Sequence, residues 1–192
     1  TTTMIGADLS GANLNGAILN SVNMDRVNLS KAKLSKTKLN KAKLRDANLA
    51  EADFFVFMNE YYKTDHIADL TGANLGKANL RKANLLKANM PWTDLSNTNL
   101  SDAELSGANL EYADLRGANL SNAKLRGANL RHANLTGAKL SLVQLSGATW
   151  VNGYKCDSKS DQWFQCICGP DGGDCYKMCD NETRAKNLGV CK

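Results

Sequence analysis

Residues 7–54 read ADLSG ANLNG AILNS VNMDR VNLSK AKLSK TKLNK AKLRD ANLAE ADF, and the period of that stretch decides the fold. Leu, Met or Phe recurs every five residues from Leu9 to Phe54, ten times; after an interruption the beat resumes at Leu70 and runs seventeen more times to Trp150. Two residues before each stands a small side chain, almost always Ala, with Val or Thr at Val22, Val27, Thr37, Thr93, Thr98 and Val143. On an α-helix, five steps of about 100° would turn each Leu about 140° from the last, so the apolar residues would spiral around the rod. On a straight strand an odd period alternates faces, and half of the Leu side chains would face water. Burying every Leu requires the chain to turn a corner every five residues. The small residue and the Leu, two apart, share one face of a short extended segment, while the positions rich in Asn, Asp, Ser, Gly and Lys suit a solvent-facing turn. Four such corners close a square coil of 20 residues.

This A(D/N)LXX pattern resembles that of the pentapeptide-repeat proteins, with 27 repeats over about 140 of the 192 residues. The resemblance implies a right-handed quadrilateral β-helix, and it supplies the handedness, which the period alone does not. The expected fold is therefore all-β: a solenoid of about seven coils over residues 1–150, interrupted at 55–67, followed by a small cysteine-rich cap over 151–192. At about 4.8 Å per coil the rod is roughly 35 Å long, and its stability is spread along a quasi-one-dimensional stack.

The departures from the repeat hold the functional candidates. Residues 55–67, FVFMNEYYKTDHI, separate Phe54 from Leu70 by 16 residues, three repeats plus one, and carry Phe55, Phe57, Tyr61 and Tyr62 in a chain of twelve aromatics. This is either two or three degenerate repeats with one bulged residue or a projecting contact element. Projecting loops matter in family members that act on topoisomerases, but the resemblance reaches no loop sequence here. A second departure is charge. Lys31, Lys33, Lys36, Lys38, Lys41, Lys43 and Arg45 fall within residues 29–45, which contain no acid. Since one coil takes 20 residues, they form a basic ring over about three faces of one coil: a solvated face, or a dock for an anionic surface. The third is a column. Trp92, Tyr112 and His132, spaced by 20, occupy the same outward repeat position and are expected to stack. They read as a protein-binding patch or as a ladder that stiffens a corner.

All six cysteines lie after the repeats, at Cys156, Cys166, Cys168, Cys175, Cys179 and Cys191. An even, dense cluster in a Gly-rich stretch reads as three disulfides in an oxidising compartment, with fifteen pairings open. The cap would cover the strand edge that an open β-helix exposes, with Trp150, Trp163 and Phe164 over the core and a short helix at 182–189. The rivals are a zinc site at Cys166, Cys168, Cys175 and Cys179, which lacks paired C-x2-C spacing or nearby His, and a calcium site at Asp171 and Asp174. No metal and no cofactor is expected.

The net charge of +5 lies entirely in the repeats, since residues 1–150 carry 18 basic and 13 acidic side chains and residues 151–192 carry six of each. The resemblance brings to mind DNA mimicry by strongly acidic family members that bind type II topoisomerases, but a net-basic rod cannot imitate a polyanion. Nucleic acid is an unfavoured partner for the ring, because no aromatics are interleaved and no recognition module is visible. His66 and His132 have no motif partners, and Asp8, Asp53, Asp69, Asp94 and Asp114 occupy a repeat position otherwise filled by Asn, which points to turns rather than catalysis. No apolar run approaches the roughly 20 residues of a membrane span. The expectation is a non-enzymatic interaction scaffold with a protein partner. The resemblance, a start at Thr1 without a leader and the disulfide-type cap favour the thylakoid lumen and an accessory subunit of a photosynthetic membrane complex. A secreted or periplasmic binding protein satisfies the same features.

Overall fold

The computed structural model describes residues 2–55, 67–151 and 153. Nearly every repeat closes a four-residue turn in which the backbone N–H after the turn returns to the Leu carbonyl, as from Ala12 to Leu9 at 3.1 Å. The third turn residue has positive φ, the signature of a type II turn, and it does so whether or not it is glycine. Gly11 has φ 67°, but Lys31 has 58°, Trp92 60° and Leu142 55°. Glycine is favoured there by its missing Cβ. That most coils nonetheless carry other residues shows that stacking on both sides holds the turn in place.

Between corners the chain touches its neighbours through single parallel bridges. Asp8 pairs with Asn28 and Asn28 with Asn48, each level tied in both directions, as by Leu9 N–H to the Asn28 carbonyl at 2.7 Å and Asn28 N–H to the Ala7 carbonyl at 2.9 Å. The offset is 20 residues throughout, except across the interruption. There Lys38 pairs with Asp69, Lys43 with Asn74, Asn48 with Asn79 and Asp53 with Asn84, an offset of 31. The coil thus closes as though Phe54 and Leu70 belonged to consecutive repeats, and eleven residues stand outside the count. The 16-residue gap is one repeat plus an eleven-residue insertion, not extra coils with a bulge. Residues 56–66 themselves lie outside the described residues.

The Leu residues fill the axis. Leu29, Leu34, Leu39 and Leu44 of one coil are fully buried, as are Ala32 and Ala42 beside them. Burying each Leu contributes about 1.5–3 kcal/mol. Thr can replace Ala because its hydroxyl finds acceptors inside: Thr93 Oγ1 donates to the Met90 carbonyl at 2.8 Å and the Leu70 carbonyl at 3.0 Å, and Thr37 and Thr98 donate to Leu34 and Leu95. Toward the N-terminal end the core opens, with Leu9 and Leu14 only half-buried.

The Asn position serves two purposes at once. Its Oδ1 accepts the backbone N–H two residues on, as from Ser101 to Asn99 at 3.2 Å. Its Nδ2 donates to the amide oxygen one coil earlier, making a ladder through Asn119, Asn99, Asn79, Asn48 and Asn28 that ends on the Asp8 carboxylate at 3.0 Å. A second ladder runs from Asn129 through Asn109 and Asn89 to Asp69 at 3.2 Å per step. A carboxylate can only accept, so Asp terminates a ladder on its N-terminal side. Asp8, Asp53 and Asp69 all hold that end of their runs.

Candidate partner-binding surface

The 20-residue offset brings Trp92, Tyr112 and His132 onto one corner at the left-handed turn position, which points side chains outward. Their rings stack. Trp92 and Tyr112 have centroids 4.2 Å apart at an interplanar angle of 4°, and Tyr112 and His132 are 4.7 Å apart at 18°. The backbone beneath continues the same spacing, with Trp92 N–H on the Glu111 carbonyl at 3.0 Å and Tyr112 N–H on the Arg131 carbonyl at 2.9 Å. Trp92 nevertheless remains 64% exposed and Tyr112 41%. Exposed aromatics held rigid by their neighbours lose little freedom on meeting a partner.

The basic ring also sits where the period places it. Lys31, Lys36 and Lys41 occupy turn positions with φ of 58°, 59° and 56°. Lys33, Lys38 and Lys43 occupy bridged wall positions, and all six, with Arg45, are exposed. One coil C-terminal, Asp53 lies under Lys33 and Asp69 under Lys38. Among the described residues, however, the ion pairs are Arg81–Asp102 at 3.6 Å, Arg116–Asp114 at 2.5 Å and Lys124–Glu104 at 3.3 Å, none of which involves the ring. The acids beneath the lysines are held by turns instead: Asp69 Oδ1 takes the Thr71 hydroxyl at 2.6 Å and the Thr71 N–H at 3.1 Å.

At the foot of the insertion Phe55 is half-buried, its N–H on Asp53 Oδ1 at 3.0 Å. A shallow, open depression beside it is lined by Asp53, Phe55, Asn84, Leu86, Glu104 and Ser106. Phe57, Tyr61 and Tyr62 lie outside the described residues, as do Cys156, Cys166, Cys168, Cys175, Cys179 and Cys191. At the last described coil Trp150 is fully buried in the Leu position, and its indole N–H has no acceptor among the described residues. No group of three metal-ligating side chains converges among the described residues.

Three partly buried carboxyls titrate below their ordinary values. Burial pushes Asp69 up but is outweighed by hydrogen bonds from the Thr71 hydroxyl and N–H and from Asn89. Burial likewise raises Glu104, and the Ser106 hydroxyl and N–H with Lys124 more than offset it. Asp114 is lowered chiefly by the Arg116 guanidinium, against a smaller opposing effect of burial. Each of the three is held in a turn by the residue two positions on.

The sequence profile described as pentapeptide repeats matches in 8 copies, over residues 3–40, 28–54, 68–102 and 103–141. The chain belongs to the pentapeptide-repeat family. Pentapeptide-repeat proteins form right-handed quadrilateral β-helices and are generally non-enzymatic structural or interaction proteins. Among solved structures, the chain resembles HetL, a pentapeptide repeat protein involved in heterocyst differentiation regulation in the cyanobacterium Nostoc sp. strain PCC 7120. The two are 38% identical over 80% of this chain and 68% of that one, with a TM-score of 0.47. A trypsin-treated variant of QnrB1, a plasmid-mediated fluoroquinolone resistance protein, matches over 99% of this chain and 88% of its own at 21% identity and a TM-score of 0.50, a likeness of fold alone. A pentapeptide repeat protein of the Arabidopsis thaliana thylakoid lumen matches at 23% identity over 67% of this chain and 68% of its own, with a TM-score of 0.32. No match occurs among curated protein sequences.

Two features escape a reading of the repeat alone. Ile18 and Leu142 are 71% and 76% exposed, although each sits in a repeat whose Leu is buried. Gly72 stands in the same corner column as Trp92, one coil before it, with its N–H on the Pro91 carbonyl at 2.9 Å. The signal for both was in the register: position within the five, and position within the 20.

Proposed function

We propose that this pentapeptide-repeat protein is a non-enzymatic scaffold that holds a protein partner on the Trp92–Tyr112–His132 corner, with the basic ring as the neighbouring anionic dock. The observation that carries the reading is the stacked, exposed aromatic ladder, because exposed Trp and Tyr in fixed positions are what the centre of an interface uses. The insertion at 55–67 with Phe55, Phe57, Tyr61 and Tyr62 is a second contact element, and the segment 151–192 is a separate cap closed by three disulfides. Six cysteines within 36 residues support an oxidising compartment. The reading favoured is the thylakoid lumen, where the protein would serve as an accessory subunit of a photosynthetic membrane complex. A free-standing secreted or periplasmic binding protein is the second reading, supported by the same cysteines. A DNA-mimic role against topoisomerases is opposed by the net-basic repeats.

The test is to solubilise the native membranes in mild detergent and separate the complexes on a native gel. The protein is expected to co-migrate with a large complex, and Trp92→Ser with Tyr112→Ser to release it to its own 20.8 kDa position. Thiol titration of the same material under denaturation is expected to find no free cysteine. Migration alone, unchanged by the double substitution, overturns the scaffold reading, and six reactive thiols overturn the oxidising compartment.

A further inference from the structure

The aromatic ladder is missing a rung. The corner column runs Lys41, Gly72, Trp92, Tyr112, His132, each tied to the next coil by the same bond: Lys41 N–H to the Thr71 carbonyl at 3.0 Å, Gly72 N–H to the Pro91 carbonyl at 2.9 Å and Trp92 N–H to the Glu111 carbonyl at 3.0 Å. One face of the Trp92 ring is covered by Tyr112. The other looks along the column to Gly72, which has no side chain to cover it. Beyond Gly72 stands Lys41, whose Cγ lies 3.7 Å from where a Gly72 Cβ would be. Two coil spacings, about 9–10 Å, therefore separate the Trp92 ring from the level of Lys41, with only a glycine between. The ladder itself shows what fits that height, since its rings stand 4.2 and 4.7 Å apart.

We propose that this gap is a docking slot for one aromatic side chain of an acidic partner segment, which rests on the proposed scaffold role and names what that scaffold recognises. The incoming ring takes the place of the missing rung: it stacks on the open face of Trp92, sits over Gly72 and is covered by the Lys41 stem and ammonium, a cation–π arrangement. Charge selects the rest of the segment. Lys38 and Lys43 flank Lys41 on the two adjoining walls of its coil, exposed and outside the ion pairs of the described residues. The one carboxylate on the Gly72 coil beside them, Asp69, already accepts from Thr71 and Asn89. Further along the ladder acids stand beside the rings, Asp94 on the coil of Trp92 and Glu111 on that of Tyr112, while Asp114 is held by Arg116. A nucleic-acid strand laid along the rings would drive its phosphates past Asp94 and Glu111. A short acidic segment that places carboxylates on the three lysines and drops one ring over Gly72 avoids them. A partner protein is favoured for that reason.

The experiment uses the full chain and a dye-labelled peptide, Glu-Asp-Glu-Tyr-Asp-Glu, with a Leu-for-Tyr analogue and a dT12 oligonucleotide as comparisons, read by fluorescence anisotropy. The Tyr peptide is expected to bind about 3- to 10-fold more tightly than the Leu peptide, the range of one aromatic stacking contact, and to weaken as salt rises. Gly72→Trp fills the slot from within. The same column holds Trp at φ 60°, and the new Cβ would meet Lys41 at ordinary contact distance, so this variant is expected to fold, with a melting temperature lowered only slightly by placing a side chain at positive φ. It is expected to abolish the preference for Tyr over Leu. Lys41→Gln is expected to reduce affinity for both peptides and to narrow the gap between them. Equal binding of the Tyr and Leu peptides, or an unchanged preference in Gly72→Trp, overturns the slot. Tighter binding of dT12 than of the Tyr peptide overturns the choice of partner. If the slot fails while co-migration with a native complex still depends on Trp92 and Tyr112, the scaffold role stands without it.

Discussion

At the scale of the residue, this fold makes one unusual demand: a left-handed turn residue every five positions, filled seventeen times by something other than glycine among the described residues. A non-glycine residue in that conformation carries a penalty of roughly 1–2 kcal/mol, offset where its side chain packs or bonds. Lys and Asn have solvated heads, and Trp92, Tyr112 and His132 cover one another. Leu142 has no such return. At φ 55° it is 76% exposed, leaving an apolar side chain in water on a strained backbone. Leu142→Gly is expected to stabilise the protein by about 0.5–1 kcal/mol, the relief of strain less the extra freedom glycine gives the unfolded chain. Denaturant melts of the two proteins check it, and a loss of stability would show that Leu142 is packed in solution. The Leu–Ala core and the outward column were legible because burial and the 20-residue coil follow from the period alone. The turn conformation was not, since a repeat that accepts Gly, Lys, Trp and Leu in one position hides its backbone from composition. The Asn ladders were half-visible: Asn and Asp read as turn formers, but the amide donor that links coils, and the confinement of Asp8, Asp53 and Asp69 to ladder ends, need the stack itself.

At the scale of the element, the insertion is the place where sequence arithmetic divided wrongly. Sixteen residues can be split as three repeats plus one or as one repeat plus eleven, and spacing cannot choose between them. The bridges do, because Lys38 meets Asp69 and Asp53 meets Asn84 with no coil between. Stacking continues across the join: Phe54 N–H reaches the Asn84 carbonyl at 2.9 Å, and Leu39 N–H the Asp69 carbonyl at 2.7 Å. The coil therefore owes its closure to residues on either side, and shortening the connection between Phe55 and Ile67 to a normal turn lowers the entropy cost of closing it. Deletion of residues 56–66 is expected to leave the β-helix circular dichroism unchanged and the melting temperature equal or slightly raised. Loss of the folded signal on deletion would mean that those residues complete a coil. The same variant separates the two candidate contacts, since it removes Phe57, Tyr61 and Tyr62 and leaves the Trp92 corner intact.

At the scale of the whole molecule, the rod carries a basic excess and holds Asp69, Glu104 and Asp114 below their ordinary values, which shapes how it responds to acid. The ordinary values of Asp69 and Asp114 are 3.8 and that of Glu104 is 4.5, and all three titrate lower in the folded chain. A carboxyl with a lowered folded pKa binds its proton more readily when unfolded. Its stabilisation is complete above the ordinary value and is lost as the pH falls through the folded one. The melting temperature is therefore expected to be flat from pH 7 to pH 5 and to fall progressively once the pH drops below 4.5, with growing positive self-repulsion steepening the decline. Each group contributes no more than about 1 kcal/mol, because all are partly exposed and screened, so the three together move the midpoint by several degrees rather than tens. Asp114→Asn provides the internal control. It removes the carboxylate that Arg116 holds, so it is expected to lower the melting temperature slightly at pH 7 and to make the acid limb shallower. Thermal melts of both proteins from pH 7 to pH 3 measure this. An acid limb of equal steepness in the variant would place the sensitivity elsewhere than in the Asp114–Arg116 pair. A solenoid passes such a loss only to its neighbouring coils, so the effect of Asp114→Asn should be largest in amide exchange of the coils on either side of it and absent from the basic ring.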